Sequence, residues 1–493
     1  MSVETQLRHA LHVAADELGH PEAPVSVRAE GMLALRGRRR RRRAVALCAG
    51  LAVLLVTVAV PVGLSLLGSG GSDDRVVSPP TIPDADIYGM PTRGSLAGDT
   101  AFVEAVRELP WAGALTEGVP AALDPPLPDP PLETRNVVFA GDVTGARWAL
   151  VAGQNTVQPT GEAADPDLQT DLGALSDIAG VWFVGPPGAT PAQMLLATVP
   201  RGISADRPTS LYDAATGALV VVSAPGDVIE ISPRPEVAAD ATVRRTFVDT
   251  NSTDGIAVLA LDANPYNGPP APVFRVSRSG MEVLEQGPDG YGDPNQAPAP
   301  EIALTYLRPP NSPFAVRGLP LDEQRMAAEI LSQYGLRQDQ IAFQVHYLGP
   351  LPGTSGQLAG LTVLTAIFPS GAVLTRALWL QELDSSLGYF GGGSCAMDDL
   401  SAAGVPAAQR IIAMRCDVDA GAENLPDPAS TLVVIAPPAL AAGSATAQAD
   451  SGAIRLDLVD GGVGMAPFPE GAETVVVRDG EGAVLEEVPI LSY

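Results

Sequence analysis

Arg38-Arg39-Arg40-Arg41-Arg42-Arg43 runs straight into Ala44-Val45-Ala46-Leu47-Cys48-Ala49-Gly50-Leu51, and the apolar stretch continues to Leu67. Ala44–Leu67 carries no charge, and its polar content is limited to Thr57 and Ser65. As a helix rising about 1.5 Å per residue it is roughly 36 Å long. A bilayer core is about 30 Å thick, so the stretch reads as a transmembrane helix with room for tilt. Arginine is costly to move through hydrocarbon, which keeps the Arg-rich flank in the cytoplasm. The other flank reads Gly68-Ser69-Gly70-Gly71-Ser72-Asp73-Asp74. The sequence therefore predicts a single-pass cell-membrane protein with membrane lipid as a partner, its N-terminus cytoplasmic and its C-terminal part extracytoplasmic. A cleavable signal peptide is the alternative. It is disfavoured by the length of chain before the apolar run and by the lack of an A-x-A site after it.

Charge divides the chain at the same place. Nine arginines stand against five acids in residues 1–43, whereas the 493-residue chain has a formal net charge of −27. Everything after residue 43 is strongly acidic, which excludes nucleic acid as a partner because its phosphates would be repelled. There is no lysine. Of three cysteines, Cys48 lies in the apolar run, while Cys395 and Cys416 are 21 positions apart in the predicted extracytoplasmic part. That compartment permits disulfides, so Cys395–Cys416 is expected as a bridge. A loop of that size contributes roughly 3 kcal/mol in the chain-entropy view.

Residues 2–18 place Leu7, Leu11, Ala14 and Leu18 on one apolar helical face, with Gly19 and Pro21 ending the helix. A lone short amphipathic helix is marginal, so it needs either the groove of a cytoplasmic partner or the inner membrane surface. Residues 68–83 read as a Gly/Ser/Pro spacer. Beyond it, two helices are predicted: Asp99–Leu109, stopped by Pro110, and Leu321–Tyr334, ended by Gly335. The rest alternates strand-like runs with turns. Ala218-Leu219-Val220-Val221-Val222-Ser223-Ala224-Pro225 parallels Thr431-Leu432-Val433-Val434-Ile435-Ala436-Pro437, and Pro272–Leu284 parallels Thr474–Leu485 as a hairpin. These likenesses predict an internal duplication, with copies at 84–286 and 301–493 joined by a linker at 287–300. The predicted class is a single transmembrane helix plus a mainly-β (α+β) ectodomain. Each copy would hold a small helix-plus-strands half and a β-sandwich-like half.

Side chains that carry chemistry are scarce. Beyond residue 43 the only histidine is His346, in the strand-like run Ala342–Leu348, so a Ser-His-Asp site would have to use it. Gly392-Gly393-Ser394-Cys395-Ala396 approximates a nucleophile elbow but lacks the last glycine. The absence of lysine excludes S-x-x-K acylation and a P-loop. No zinc-ligand spacing occurs. Asp249-Thr250-Asn251-Ser252-Thr253-Asp254-Gly255 and Asp289-Gly290-Tyr291-Gly292-Asp293 gather oxygen atoms, but without the spacing of a calcium loop. The expectation is a non-enzyme with no cofactor and no bound metal.

The head of the chain, Glu4-Thr5-Gln6-Leu7-Arg8-His9-Ala10-Leu11 and Ala14-Ala15-Asp16-Glu17-Leu18 followed by Arg38–Arg43 and the apolar run, resembles a group of actinobacterial single-pass membrane proteins. Members are often encoded beside extracytoplasmic-function sigma factors, and the resemblance implies a membrane-bound anti-sigma-like role. It covers about residues 1–67. The zinc-binding His/Cys signature of the better understood anti-sigma domain is absent. Two functions follow from these readings. One is a non-enzymatic envelope sensor that binds an extracytoplasmic ligand and, through residues 2–18, a cytoplasmic protein such as a sigma factor. The other is a structural or adhesive envelope protein that its N-terminus merely anchors.

Overall fold

Short β-branched runs bounded by Gly-containing turns form antiparallel strands, because a pleated strand packs well on a half-buried surface and the turn glycine supplies a positive φ. A computed structural model describes residues 85–492 of the protein apart from 112–128, 157–176, 267, 292–297, 314–322, 353–357, 385–388, 396–397, 419–428, 441–442, 450–451 and 460. All belong to one compact unit, Thr81–Tyr493. Helix α1 (Thr100–Arg107) starts on Asp99, whose carboxylate accepts the Phe102 N–H at 3.0 Å as an N-cap. It is followed by β1 (Asn136–Val143), β2 (Ala146–Gln154), β3 (Ile178–Gly185), β4 (Leu195–Leu196), β5 (Arg201–Ile203), β6 (Thr209–Asp213), β7 (Ala218–Val222) and β8 (Val228–Ser232). Then come β9 (Glu236–Val237), β10 (Val243–Arg244), β11 (Val248–Asp249), β12 (Ile256–Ala260), β13 (Val273–Arg278), β14 (Met281–Gln286) and β15 (Gly290–Tyr291).

These strands stack in layers. Phe102 and Val106 of α1 pack on Val137, Val151 and Phe183 of a five-stranded sheet, β1-β2-β3-β4 with β5 also on β3. The other face of that sheet, with Phe139, Trp148 and Trp182, meets Leu211, Val220 and Ile256 of the sheet β12-β7-β6-β15. Leu219 and Val221 on the far side of β7 meet Ile229, Phe274 and Val276 of the sheet β11-β8-β13-β14. A middle layer has no solvent face, which is why β7 is buried at all of its positions and reads as an unbroken apolar run. Gly290–Tyr291 pairs with β6 in parallel.

The second stretch contains β16 (Leu304–Tyr306), α2 (Glu323–Tyr334), β17 (Ala342–Pro352), β18 (Leu358–Ile367), β19 (Val373–Asp384), β20 (Tyr389–Ser394) and β21 (Asp399–Ser401). It continues with β22 (Ile412–Val418), β23 (Ala429–Ile435), β24 (Ser444–Ala449), β25 (Gly452–Asp457), β26 (Val463–Pro467), β27 (Thr474–Arg478) and β28 (Val484–Leu491). Met326, Ile330 and Leu331 of α2 pack on Phe343, Leu364 and Leu374 of the six-stranded sheet β16-β17-β18-β19-β20, with β21 also on β19. The seven-stranded sheet runs β25-β24-β27-β28-β22-β23-β26. In it β28 pairs antiparallel with β27 and parallel with β22. Two buried arginines close the ends of the layers. Arg93 donates to the carbonyls of Ser223 (2.6 Å), Asp254 (2.8 Å) and Ile87 (3.0 Å). Arg308 donates to those of His346 (2.6 Å), Gly461 (2.9 Å) and Ala436.

Several sequence expectations are corrected here. Among the described residues no helix is long and apolar enough to cross a membrane; α1 has 8 residues and α2 has 12, against the roughly 20 that a bilayer requires. The expected span Ala44–Leu67, the flanking Arg38–Arg43 and the amphipathic segment 2–18 lie outside the described residues. The single-pass topology, the lipid partner, the cytoplasmic N-terminus and the kinship with actinobacterial single-pass proteins are therefore withdrawn. So are both functions built on them, the envelope sensor with a sigma-factor partner and the anchored structural or adhesive protein. The class is mainly β. The predicted duplication is corrected too: the first stretch forms sheets of five, two, four and four strands, the second sheets of six and seven. A helix over stacked sheets recurs because any apolar sheet needs a cover on each face, and this recurrence does not make two α+β copies.

Candidate ligand cleft

A cavity of about 330 Å³ opens where the loop after β12 meets the end of α2. Its walls are built by local constraints. Leu261 N–H donates to Gly217 O at 2.8 Å and Asn264 N–H to Ala214 O at 2.7 Å, tying the loop to the β6–β7 turn. Gly217 has a φ of +72°, and a Cβ there would meet Leu261 O at 2.1 Å, so glycine alone fits that turn. The Asn264 side chain then bridges loop and helix. Its Nδ2 donates to Leu331 O, a carbonyl near the end of α2, at 3.0 Å, and its Oδ1 accepts Tyr266 N–H at 3.0 Å. Tyr266 Oη donates to Gln338 Oε1 at 3.1 Å. Ser332 Oγ donates to Pro269 O at 3.1 Å.

Gly335 ends α2 with a φ of +57°, the left-handed turn that lets Leu336 N–H return to Leu331 O at 3.1 Å. A Cβ at Gly335 would press on Ala271 and Arg234. The absence of a side chain there brings these residues against the helix end. Arg234 and Asp262 also line the cavity, and neither takes part in an ion pair among the described residues. Arg337, the other lining cation, pairs with Asp339 at 3.1 Å. Burial pushes the Tyr212 phenol up to about 12, with Asp213 and Asp262 adding to the effect. At neutral pH Tyr212 and Tyr266 are therefore uncharged hydroxyls. The cleft offers hydrogen bonds and one free charge of each sign, and no nucleophile held against a base.

The residues singled out from the sequence lie elsewhere. Cys395 and Cys416 are bonded to each other, both buried, with Cα atoms 4.1 Å apart. They pack with Trp379, Met414 and Val433 in the layer between the six- and seven-stranded sheets. Ser394 immediately precedes this bridge, at the end of β20. Arg38, Arg39, Arg40, Arg41, Arg42 and Arg43 lie outside the described residues. Asp249 Oδ1 accepts Asn251 N–H at 2.7 Å inside its turn, and Asp289 is ion-paired with Arg201. Among the described residues no three His, Cys, Asp or Glu side chains converge as a metal site.

His346 sits inside β17, 2% exposed, with Nε2 3.2 Å from Thr365 Oγ1. Burial, with Arg308 and Arg410 nearby, lowers its pKa from 6.5 to about 4. The unfolded chain consequently takes up the proton first. The stabilising contribution is complete above about pH 6.5 and is lost as pH falls toward 4, roughly 3 kcal/mol in all and about 2 kcal/mol by pH 5. Urea unfolding at pH 7.5 and 5 should show that extra pH dependence in the parent and not in His346→Gln. An equal dependence in both proteins would refute it.

Arg234, Asp262, Asn264, Tyr266 and Gln338 were not singled out by the sequence. The signal for Asp262, Asn264 and Tyr266 was the turn-rich stretch Asp262-Ala263-Asn264-Pro265-Tyr266, which marks a loop and does not show what the loop faces. No protein-family model matches this chain, and no curated protein matches it either.

Proposed function

We propose that this protein is a non-catalytic binding protein whose cleft at Tyr212, Arg234, Asp262, Asn264 and Gln338 takes a small zwitterion of amino-acid or dipeptide size. What carries this reading is the Asn264 brace. A polar wall already held by hydrogen bonds to α2 loses little entropy when a ligand arrives, so its groups are pre-organised. Arg234 suits a carboxylate and Asp262 an ammonium group. The volume of about 330 Å³ lies at the lower end of ligand sites, which run from about 300 Å³ upward. The absence of a base–nucleophile pair in the cleft, and the buried neutral state of His346, favour binding over turnover.

The test is a thermal-unfolding screen with the free amino acids, simple dipeptides, monocarboxylates and alkylamines. At least one zwitterion should raise the Tm, by the equivalent of about 2.7 kcal/mol at a hundredfold excess over its Kd. Carboxylates and amines alone should not. Arg234→Ala and Asp262→Ala should each abolish the shift while unfolding cooperatively. If no zwitterion shifts the Tm, or if both variants keep the shift, the proposal is wrong.

A further inference from the structure

From the geometry of the sheet edge we infer a second binding site: the outer edge of β16 accepts an extended peptide segment carrying a basic side chain. It does not rest on the cleft, with which it shares only Gln338 as a lining residue. Among the described residues β16 is the terminal strand of its six-stranded sheet and pairs with β17 alone, in parallel, Leu304 opposite Phe343 and Tyr306 opposite Val345. Leu307 N–H donates to Val345 O at 3.0 Å, so the backbone groups of residues 305 and 307 face β17. Those of 304 and 306 then face outward, since successive residues of a strand turn their N–H and C=O to opposite sides.

That outward row is already used at one residue in strand fashion. Gln324 of α2 places its side-chain amide on Ile302, accepting Ile302 N–H at 2.9 Å and donating to Ile302 O at 3.0 Å. These are the two bonds a neighbouring strand residue would make. The amide ends there, leaving the groups of Leu304 and Tyr306 next in line. Ala303 and Thr305 are exposed, and Tyr306 is 40% exposed. An open space of about 540 Å³ next to Ala303 and Thr305 is lined also by Asp339, Ala342 and Phe343, and so lies on the β17 side of the strand.

The charge beside the edge selects the occupant. Tyr306 Oη donates to Glu323 Oε1 at 3.1 Å, and the other carboxylate oxygen of Glu323 is buried without a hydrogen-bond partner among the described residues. Glu301 also stands near enough to raise the Tyr306 phenol. A guanidinium or ammonium on an added strand would pair with the Glu323 carboxylate while the backbone pairs with Leu304 and Tyr306, the β-augmentation mode of peptide recognition. An acidic or neutral segment would bring it no counter-charge. The chain, with its net charge of −27, favours basic partners from a distance as well.

The probe is acetyl-Val-Arg-Val-Arg-Val-amide, labelled and titrated by fluorescence anisotropy. Binding should weaken with added salt and exceed that of the Glu-for-Arg version of the peptide. Tyr306→Pro removes an outward N–H and leaves the bonds to β17 intact, so it should weaken binding about tenfold relative to Tyr306→Ala, which keeps the N–H. Glu323→Gln should weaken it and flatten the salt dependence. The inference is overturned if the parent binds neither peptide, if Tyr306→Pro and Tyr306→Ala bind alike, or if sedimentation shows the edge occupied by a second copy of the chain in a dimer that Tyr306→Pro dissociates.

Discussion

Asp227→Ala is expected to lower the free energy of unfolding by about 3–5 kcal/mol, the loss typical of stranding one partner of a buried ion pair. Asp227 and Arg278 are buried to 1% and 8% side-chain exposure. Arg278 Nε donates to Asp227 Oδ1 at 2.9 Å and Nη2 to Oδ2 at 3.0 Å, a bidentate pair. Oδ2 also accepts Ala224 N–H at 3.1 Å and the Ser223 hydroxyl. Removing the carboxylate therefore leaves a buried guanidinium and two donors without it at once. Replacing both members of the pair by apolar residues should recover much of the loss, because the desolvation cost disappears with the charges. Urea unfolding at neutral pH provides the measurement, with the midpoint falling and the slope unchanged. A loss under about 1 kcal/mol for Asp227→Ala would mean that the pair is hydrated in solution.

The second large effect is expected at Trp182. Its ring lies in the interior between the five-stranded sheet and the β12-β7-β6-β15 sheet, 2% exposed, with ring centroids 6.3 Å from Trp148 and 6.1 Å from Phe139. Truncation to alanine should cost about 3–5 kcal/mol through lost burial and a cavity that tightly paired strands cannot close. Phenylalanine should behave differently. Among the described residues the Trp182 Nε1–H is buried without a hydrogen-bond partner, so Trp182→Phe removes an unsatisfied donor along with some volume. The two changes oppose each other, leaving a net effect within about 1.5 kcal/mol. Thermal unfolding of the three proteins separates the cases. A loss on Trp182→Phe as large as that on Trp182→Ala would show that the indole N–H is bonded after all.

The candidate cleft was illegible in the sequence for a plain reason: its parts are distant along the chain. Asn264 and the Leu331 carbonyl it holds are 67 positions apart, and Tyr266 and Gln338 are 72 apart. No periodicity records such a meeting. The same holds for the edge of β16, where Gln324 reaches Ile302 across 22 positions. His346 is the contrary case. Its place in the run Ala342–Leu348 marked it as part of a half-buried strand; β17 contains it, but buried to 2% exposure.

What the residues determined alone was local. Asp99 before a 3.6-residue apolar period made α1, and Gly335 at positive φ stopped α2. Ser279-Gly280 turned β13 into β14, with both turn residues at positive φ. Such choices depend on sterics and hydrogen bonds within a few residues, so they are written in order along the chain. Tertiary structure alone decided which sheets stack, that Arg93 and Arg308 close the layer ends, and that an asparagine, a tyrosine and a helix end make one wall. A similar Val-rich run serves as a middle layer in β7 and in β23 because burial on both faces sets its composition. Composition of that kind marks what a strand is buried in, and carries no record of which partner buries it.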